Sequence, residues 1–496
     1  MMHGMEKSDS SIVAMKQANK QGKPSAEFAE RRDGAEGNPG EARTCRTQSR
    51  VSVTQGLARI RKVARTRKTE RFTSLLRHVD VALLTQAYYD LKRKAAAGID
   101  GLTWKDYEKG LAANLADLHV RVHKGTYRPL PSRRKYIPKP DGRMRPLGIT
   151  ALEDKIVQRA VVEVLNAVYE ADFQGFSYGF RPGRSQHDAL DALAVGITRT
   201  KVKWVLDADI AGFFDTVSHE WVIRFLEHRI GDPRMIRLIG KWLKAGVMEE
   251  GTVIPTEAGT PQGAVISPLL ANIYLHYVFD DWAKRWRRGK GNIILVRYAD
   301  DIVAGFQYES EAKSFLIDLK KRMGQFNLSL HTEKTRLIEF GRYAAGNRTE
   351  RGLGKPETFN FLGFTHICGN THSKGDFLLV RITRRDKMRA KLKEIKDELR
   401  RRMHQSIPEQ GKWLRQVITG YFAYHAIPTN YKRLAAFRHY VKDLWRRTLC
   451  RRSQRGRFAW DKINRIALEW LPFPRILHPW PYTRFSVKHP RWEPGA

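Results

Sequence analysis

Two adjacent carboxylates stand between two apolar runs near the middle of the chain. Asp300 and Asp301 follow the run at 293–296 and precede the run at 302–304. Such runs predict short strands, and neighbouring side chains of a strand point to opposite faces. Both acids can therefore serve one site only at a tight turn. The pattern predicts a hairpin whose tip carries paired negative charge, although two solvated turn aspartates would look the same.

A second group of acids follows another apolar strand upstream. Residues 204–206 lead into Asp207 and Asp209. A carboxylate from this strand and the pair at the hairpin could together hold two hard cations about 3.5–4 Å apart, the arrangement that clamps both oxygens in phosphoryl transfer. Three aspartates without a divalent ion would repel one another. The two groups therefore predict a Mg²⁺-dependent nucleotidyl transferase.

The charge of the chain indicates a polyanionic partner. The 496 residues include 90 Lys and Arg against 52 Asp and Glu, a net charge of +38, and nucleic acid is favoured because no apolar run is long enough to span a bilayer. Cys45, Cys368 and Cys450 are far apart, which supports neither a disulfide framework nor a Cys-rich zinc site. A reducing, intracellular setting and two or three domains are expected.

Two segments carry basic residues, one of them in a predicted hairpin and the other beside aromatic rings. Residues 133–149 predict a hairpin in which Lys139 and Arg145 could converge on a triphosphate, although a solvated basic hairpin is the more common explanation of such a pattern in isolation. The loop at 176–185 sets Arg181 and Arg184 beside two aromatic rings, a mixture that suits a nucleic-acid strand. Simple loop scaffolding is the alternative for the second segment.

The stretch Tyr298-Ala299-Asp300-Asp301 resembles the active-site signature of reverse transcriptases, and the form with Ala is typical of the group II intron-encoded reverse transcriptase/maturase family. Further segments similar to blocks of that family follow in its order from Lys139 to Phe364. Among the more specific is the Pro-Gln-Gly loop that contains Gln262.

The resemblance implies roles for individual residues. Lys334 matches a lysine near the triphosphate and is a candidate acid for the leaving pyrophosphate. Ala211 stands where many relatives carry Lys, a departure that puts no catalytic residue in doubt. The family's catalytic residues, which also bind two Mg²⁺ ions, correspond to Asp209, Asp300 and Asp301. Contacts to the incoming dNTP correspond to Lys139, Arg145, Gln262 and Phe214, the last of which would exclude a ribose 2′-hydroxyl and would otherwise be read as a core residue.

The resemblance also implies an α+β fold: a right-hand polymerase whose fingers and palm carry an antiparallel sheet, followed by a helical thumb and a basic tail. Nucleic-acid contacts are expected at Arg181, Arg184, Arg446, Arg447, Arg451 and Arg452. The expected divisions are a disordered segment at 1–51, a helical N-terminal extension at 52–130, fingers and palm at 131–378, the thumb or maturase domain at 379–450, and a Trp/Pro-rich tail at 451–496.

The function implied is RNA-directed DNA synthesis with intron RNA, target DNA and dNTPs as partners, in support of splicing and of retrohoming. The setting would be the bacterial cytoplasm, at the nucleoid when on target DNA, and the oligomeric state stays open. The tail has no Cys/His spacing of an HNH endonuclease, which is typical of an endonuclease-lacking lineage. The alternatives are an RNA-binding splicing factor without polymerase activity and a domesticated reverse transcriptase in defence.

Overall fold

The computed structural model describes residues 43–138, 144–249, 251–260, 263–371, 375–452 and 459–488, with side chains from Gln55 onward. Helices and largely antiparallel sheets confirm the predicted α+β class. The described residues divide into two compact units. The larger unit contains 43–362, 367–379 and the residues from Pro481, and the helical unit contains Gly363–His366 and Val380–Trp480.

Two of the N-terminal helices of the larger unit start at capping residues. Asp80 and Thr103 each accept a hydrogen bond from the backbone N–H three residues further on. The helical stretch after Thr103 is divided near Gly110, because glycine weakens a helix interior. The helices are α1 (Arg43–Thr66), α2 (Val81–Asp90), α3 (Trp104–Glu108), α4 (Leu111–Lys124) and α5 (Leu152–Tyr169).

The disorder predicted for residues 1–51 does not hold for residues 43–51, which form the first turns of α1. Extending a helix needs no new nucleus, and α1 is anchored further along by the buried side chains of Leu57, Ile60 and Ala64. Residues 1–42 lie outside the described residues.

The predicted basic hairpin is part of a four-stranded sheet. Ile137 pairs with Arg145 in its register, and the sheet order is β2-β1-β4-β5, with β1 and β4 parallel. Lys139 and the predicted turn around it lie outside the described residues. The strands are β1 (Ser132–Pro138), β2 (Met144–Ile149), β4 (Val247–Glu249) and β5 (Thr252–Ile254).

The central sheet of the larger unit has the order β6-β7-β3-β8, and all its neighbours are antiparallel. Leu206 and Ala208 belong to the hydrophobic core that the surrounding helices cover. Because side chains alternate along a strand, Asp207 and Asp209 face the opposite side of the sheet. The strands are β3 (Trp204–Asp209), β6 (Ile293–Tyr298), β7 (Asp301–Phe306) and β8 (Arg336–Glu339).

Further helices belong to the larger unit, whereas two strands of a third sheet have residues in both units. Ser185 caps α6, in a capping box with Asp188. The third sheet has the order β11-β10-β9. The helices are α6 (Gln186–Arg199), α7 (Phe213–Thr216), α8 (His219–Glu227), α9 (Pro233–Leu243), α10 (Ser267–Leu275), a π-helical turn (His276–Asp280), α11 (Asp281–Trp286), α12 (Glu309–Gly324) and α13 (Ala344–Glu350). The strands are β9 (Phe359–Phe361), β10 (Phe364–Asn370) and β11 (Phe377–Thr383).

The helical unit has its own core. An apolar stripe of its first helix contributes Met388, Ile395 and Leu399 to this core. Trp445 is fully buried and donates from Nε1 to Gln410 Oε1 at 2.7 Å. The helices are α14 (Arg385–Arg401), α15 (Ile407–His425), α16 (Tyr431–Cys450) and α17 (Trp460–Trp470).

The segment predicted as a basic tail, 451–496, is shared between the two units. Ile463 and Ala467 of α17 are buried in the core of the helical unit. The last described helix, α18 (Pro481–Lys488), belongs instead to the larger unit and packs on α6. The apolar side chains of α17 explain why this helix belongs to the helical unit, because they stabilise the helix only when other residues cover them.

Candidate active site

The paired acids lie at the tip of the predicted hairpin. Strands β6 and β7 pair up to Tyr298 and Asp301, so Ala299 and Asp300 alone form the turn. Ala299 has a φ of 54°, the left-handed conformation that two-residue hairpin turns require at their first position. A side chain in that conformation is strained by about 1–2 kcal/mol. Neighbouring contacts must therefore hold this turn in place.

Asp209, from β3, is the direct cross-strand partner of Asp301. Opposed residues of an antiparallel pair share a face and have Cα atoms about 4.5–5.5 Å apart. The end of β3 is fixed by a hydrogen bond from His331 N to Asp209 O at 2.8 Å. Two distant parts of the chain thus bring carboxylates to one edge of the sheet, with Asp300 next to them in the turn.

Lys334 reaches the same place from the turn before β8. Its Nζ lies 2.5 Å from Asp209 Oδ2, and the backbone turn is closed by Thr335 N donating to His331 O at 2.9 Å. The lysine side chain is 53% exposed and that of Asp209 is 20% exposed. An ammonium next to the predicted acids fits a role at a developing negative charge.

The carboxylates have the chemistry of a magnesium site, since Mg²⁺ prefers carboxylate oxygens. In the part of the chain that the structure describes, no set of three or more His, Cys, Asp or Glu side chains is close enough to hold a metal ion. Asp209 is instead paired with Lys334. The oxygen donors fit Mg²⁺ chemically, and binding of an ion by Asp209 would need the ammonium of Lys334 to move away.

The loop expected to contact nucleic acid supports the hairpin instead. Tyr178 N donates to Arg297 O at 2.9 Å, and Arg297 N donates to Phe176 O at 2.8 Å, so the loop runs beside β6. A Cβ added to Gly179 would lie 2.4 Å from Ala299 N. Only glycine allows this close approach to the hairpin tip.

Arg181, predicted as a nucleic-acid contact, is buried and fully engaged inside the protein. It forms an ion pair with Glu170 at 3.0 Å, and its Nη1 donates to Gln174 O and Ser177 O, both at 2.7 Å. The prediction does not fit, because a guanidinium bonded in this way has no surface to offer. Arg184 is half-buried, donates to Gly175 O at 2.6 Å, and burial lowers its pKa from the usual value.

The expected nucleotide contacts are only partly described. Phe214 is half-buried and packs against Phe213 at a ring distance of 5.4 Å, and its carbonyl accepts from Thr260 N at 2.8 Å. Arg145 lies on β2, half-buried. Gln262 and Lys139 lie outside the described residues.

The four arginines predicted in the C-terminal region differ in exposure. Arg447 and Arg451 are exposed, although Arg447 pairs with Asp443 at 2.8 Å. Arg446 lies over the ring of Trp460, 4.7 Å from its centre, and also contacts Asp443. Arg452 donates to Gln405 O at 2.5 Å, so part of its guanidinium is already bonded within the protein.

Three polar residues that the sequence reading did not select meet behind the hairpin. Arg297, Asp280 and Asn272 are all buried, and Arg297 donates hydrogen bonds to both of the others. A signal was present for Arg297 and Asn272, because each is a polar residue inside a run that is otherwise apolar. Buried polar groups of this kind require partners.

A bilayer-spanning helix is absent from the described part of the chain, since none combines enough length with enough apolar character.

Residues 137–366 match the family model described as reverse transcriptase (RNA-dependent DNA polymerase). The chain is 38% identical over 224 residues to the group II intron-encoded protein LtrA of Lactococcus lactis, covering 44% of this chain and 37% of that protein. It is 42% identical over 197 residues to protein YkfC of Escherichia coli, covering 39% and 51%. It is 26% identical over 438 residues to the putative COX1/OXI3 intron 1 protein of Saccharomyces cerevisiae, covering 74% and 51%.

The reverse transcriptase match includes the strands β3, β6, β7 and β8 and the hairpin that carries the paired acids. The family match and the named relatives confirm the resemblance to group II intron-encoded reverse transcriptases and maturases. The chain spans between about a third and a half of the length of the three relatives named.

Proposed function

We propose that this chain is an RNA-directed DNA polymerase whose reaction takes place at the β6–β7 hairpin. The observation that carries the proposal is the register that sets Asp209 opposite Asp301, with Asp300 beside them. The reaction joins the primer 3′-oxygen to the α-phosphorus of a dNTP and releases pyrophosphate.

The carboxylates of Asp209, Asp300 and Asp301 would hold two Mg²⁺ ions. These ions, when bound, would activate the primer 3′-hydroxyl and neutralise the triphosphate and leaving pyrophosphate. Lys334, already at the acids, would move to the pyrophosphate oxygen and donate a proton there.

Other residues would position the nucleotide. Arg145, with Lys139, would bind the triphosphate by charge-assisted hydrogen bonds. Phe214, held by the Gly259–Thr260 backbone, would lie under the sugar and exclude a ribose 2′-hydroxyl. Gln262 would contact substrate or template.

The partners proposed are group II intron RNA, target DNA and dNTPs. A net charge of +38 supports binding to phosphate backbones, and the relatives named for introns support an intron RNA as the first partner. In that complex the protein would assist splicing and prime cDNA synthesis at a DNA target. The proposed setting is the cytoplasm, with the protein at the nucleoid when bound to target DNA.

A primer-extension assay on an RNA template tests the polymerase proposal. Asp300→Asn and Asp209→Asn are each expected to lower the rate about a thousandfold, because several kcal/mol of charge stabilisation are lost. Asp215→Asn is the matched control, since Asp215 is exposed and follows the site by six residues, and it should stay within about threefold.

The same assay separates the alternatives. An unmutated protein that binds intron RNA but extends no primer would be a splicing factor without polymerase activity. Equal extension by the Asp300→Asn variant would show that the hairpin is not the reaction site.

A further inference from the structure

Arg297 is completely buried behind the hairpin tip, and every one of its N–H groups has an acceptor. Nε and one Nη2 hydrogen bind the two carboxylate oxygens of Asp280, at 2.7 and 2.5 Å. The other Nη2 hydrogen reaches Ser177 Oγ at 2.7 Å. The Nη1 hydrogens reach Asn272 Oδ1 at 3.1 Å and Ala299 O at 3.0 Å. An arginine has five donors, and all five are used.

The four partners come from four different elements. Asn272 lies on α10 and also donates from Nδ2 to Gly179 O at 2.6 Å. Ser177 belongs to the loop beside β6, and Ala299 is the first residue of the hairpin turn. One guanidinium therefore ties the turn to three segments of the core that surrounds it.

Asp280 reaches Arg297 from the π-helical turn that follows α10. Within this turn Asp281 N donates to His276 O, five residues earlier. Such an insertion shifts the phase of the helix and is frequent near functional sites. Here it brings a carboxylate that is itself fully buried to the fork of Arg297. The contact between Asp280 and Arg297 of β6 thus explains the π-helical turn that follows α10.

We infer that Arg297 is a positioning residue for the catalytic carboxylates. Its bond to Ala299 O fixes the peptide plane that joins Ala299 to Asp300, in a residue whose φ of 54° is unfavourable for a side chain. If that bond is lost, the hairpin turn is free to relax, and Asp300 moves relative to Asp301 and Asp209. The inference deepens the proposed polymerase function and rests on it.

The test compares Arg297→Lys with Ser177→Ala and the control Arg322→Lys in primer extension. Lysine keeps the charge but loses the fork, and alanine removes one acceptor only. Arg322 contacts the same π-helical turn, donating to Val278 O at 3.0 Å and Tyr277 O at 3.1 Å. Arg322 has no bond to the hairpin tip among the described contacts. The Arg322→Lys variant therefore reports on the stability of the π-helical turn alone.

Arg297→Lys is expected to lower kcat about a hundredfold and to raise the Mg²⁺ concentration for half-maximal rate several-fold. The dissociation constant for primer and template should stay within about twofold, because the nucleic-acid surface is unchanged. Ser177→Ala should shift kcat and the Mg²⁺ requirement in the same direction by about three- to tenfold. Arg322→Lys should leave both within about twofold.

The Mg²⁺ requirement distinguishes positioning from general destabilisation. Unchanged Mg²⁺ dependence in both Arg297→Lys and Ser177→Ala would overturn the inference, even if the lysine variant melts at a lower temperature. If Arg297→Lys does not fold, Ser177→Ala decides the question alone. Absence of primer extension by the unmutated protein would overturn the proposed function instead.

Discussion

The Nζ atom of Lys334 lies 2.5 Å from Oδ2 of Asp209, so a proposed metal ligand is already paired with a cation. The ammonium and a metal ion compete for the same carboxylate oxygen. About half of the lysine side chain is exposed, so solvent screens the pair and its contribution is small. In the proposed mechanism Lys334 would therefore have two opposed effects, weakening metal binding and supplying a proton to the leaving group.

Replacing Lys334 with alanine is expected to tighten the binding of Mn²⁺, a probe for Mg²⁺, by a factor of about 1.5 to 5. An exposed ion pair is worth about 0.2–1 kcal/mol, which sets this range. The same variant should lower kcat by about a hundredfold or more, because a general acid is lost. Calorimetric titration without nucleotide measures the affinity, and single-turnover extension measures the rate.

The exposed Lys320 on α12 provides the control for Lys334. Lys320→Ala changes the net charge equally but lies away from Asp209 in sequence and element. If both alanine variants alter Mn²⁺ affinity equally, the effect is one of net charge and competition at Asp209 is excluded.

A methyl group at Gly179 is expected to disturb the hairpin tip. The Cβ of Gly179→Ala would lie 2.4 Å from Ala299 N, a backbone atom that no side-chain rotation can move aside. We expect kcat for primer extension to fall at least about tenfold, since displacing a catalytic group by about 1 Å can lower the rate by more than this. Gly175→Ala is the matched control, because a Cβ there meets no atom within 4 Å. Equal activity of the two variants would contradict the close packing of loop and turn.

The hairpin and its acids could be predicted because the signals are local. Strand length, alternation and turn residues lie within a few positions of Asp300, and they fix which residues pair. The pairing of Asp209 with Asp301 adds a long-range contact that no local pattern specifies. A joint site was predicted from the metal chemistry of the two acid groups, and the resemblance to a family in which both segments contribute to one site supported it.

Arg181 and Arg297 show what the sequence could not decide. Both are arginines beside aromatic residues, and surface arginines are far more common than buried ones. Their burial depends on acceptors brought in from other elements, Glu170 and Asp280 among them. Local composition therefore assigned Arg181 to a nucleic-acid surface and gave no role to Arg297.

The stability of the larger unit should depend on pH through Asp154. This carboxyl is buried, accepts hydrogen bonds from Tyr127 Oη and from Leu130 N at 3.1 Å, and burial raises its pKa to about 6. The folded chain therefore holds this proton more tightly than the unfolded chain. The resulting stability is complete below about pH 4 and is lost as the pH rises through about 6.

Comparison with Asp154→Asn isolates this dependence, because every other carboxyl is common to both proteins. The unmutated protein should gain up to about 3 kcal/mol relative to the variant between pH 7.5 and pH 4, by the raised pKa of one group. Urea midpoints across this range provide the measurement. A difference between the two proteins that does not change with pH would show that Asp154 titrates normally.

The docking of α18 on α6 should depend on one ion pair more than on the other. Arg484 pairs with Asp191, whose side chain is only 2% exposed, whereas Lys488 pairs with Asp188 at 2.7 Å and is 44% exposed. Arg484→Ala leaves a buried carboxylate without this cation and is expected to weaken the docking by about 1–3 kcal/mol. Lys488→Ala should cost less than about 1 kcal/mol, because the ammonium is partly exposed to solvent and Asp188 keeps the hydrogen bond from Ser185 N. Hydrogen exchange of the α18 amides measures the loss of docking free energy in each variant. Faster exchange in Lys488→Ala than in Arg484→Ala would show that the Lys488–Asp188 pair is the dominant one.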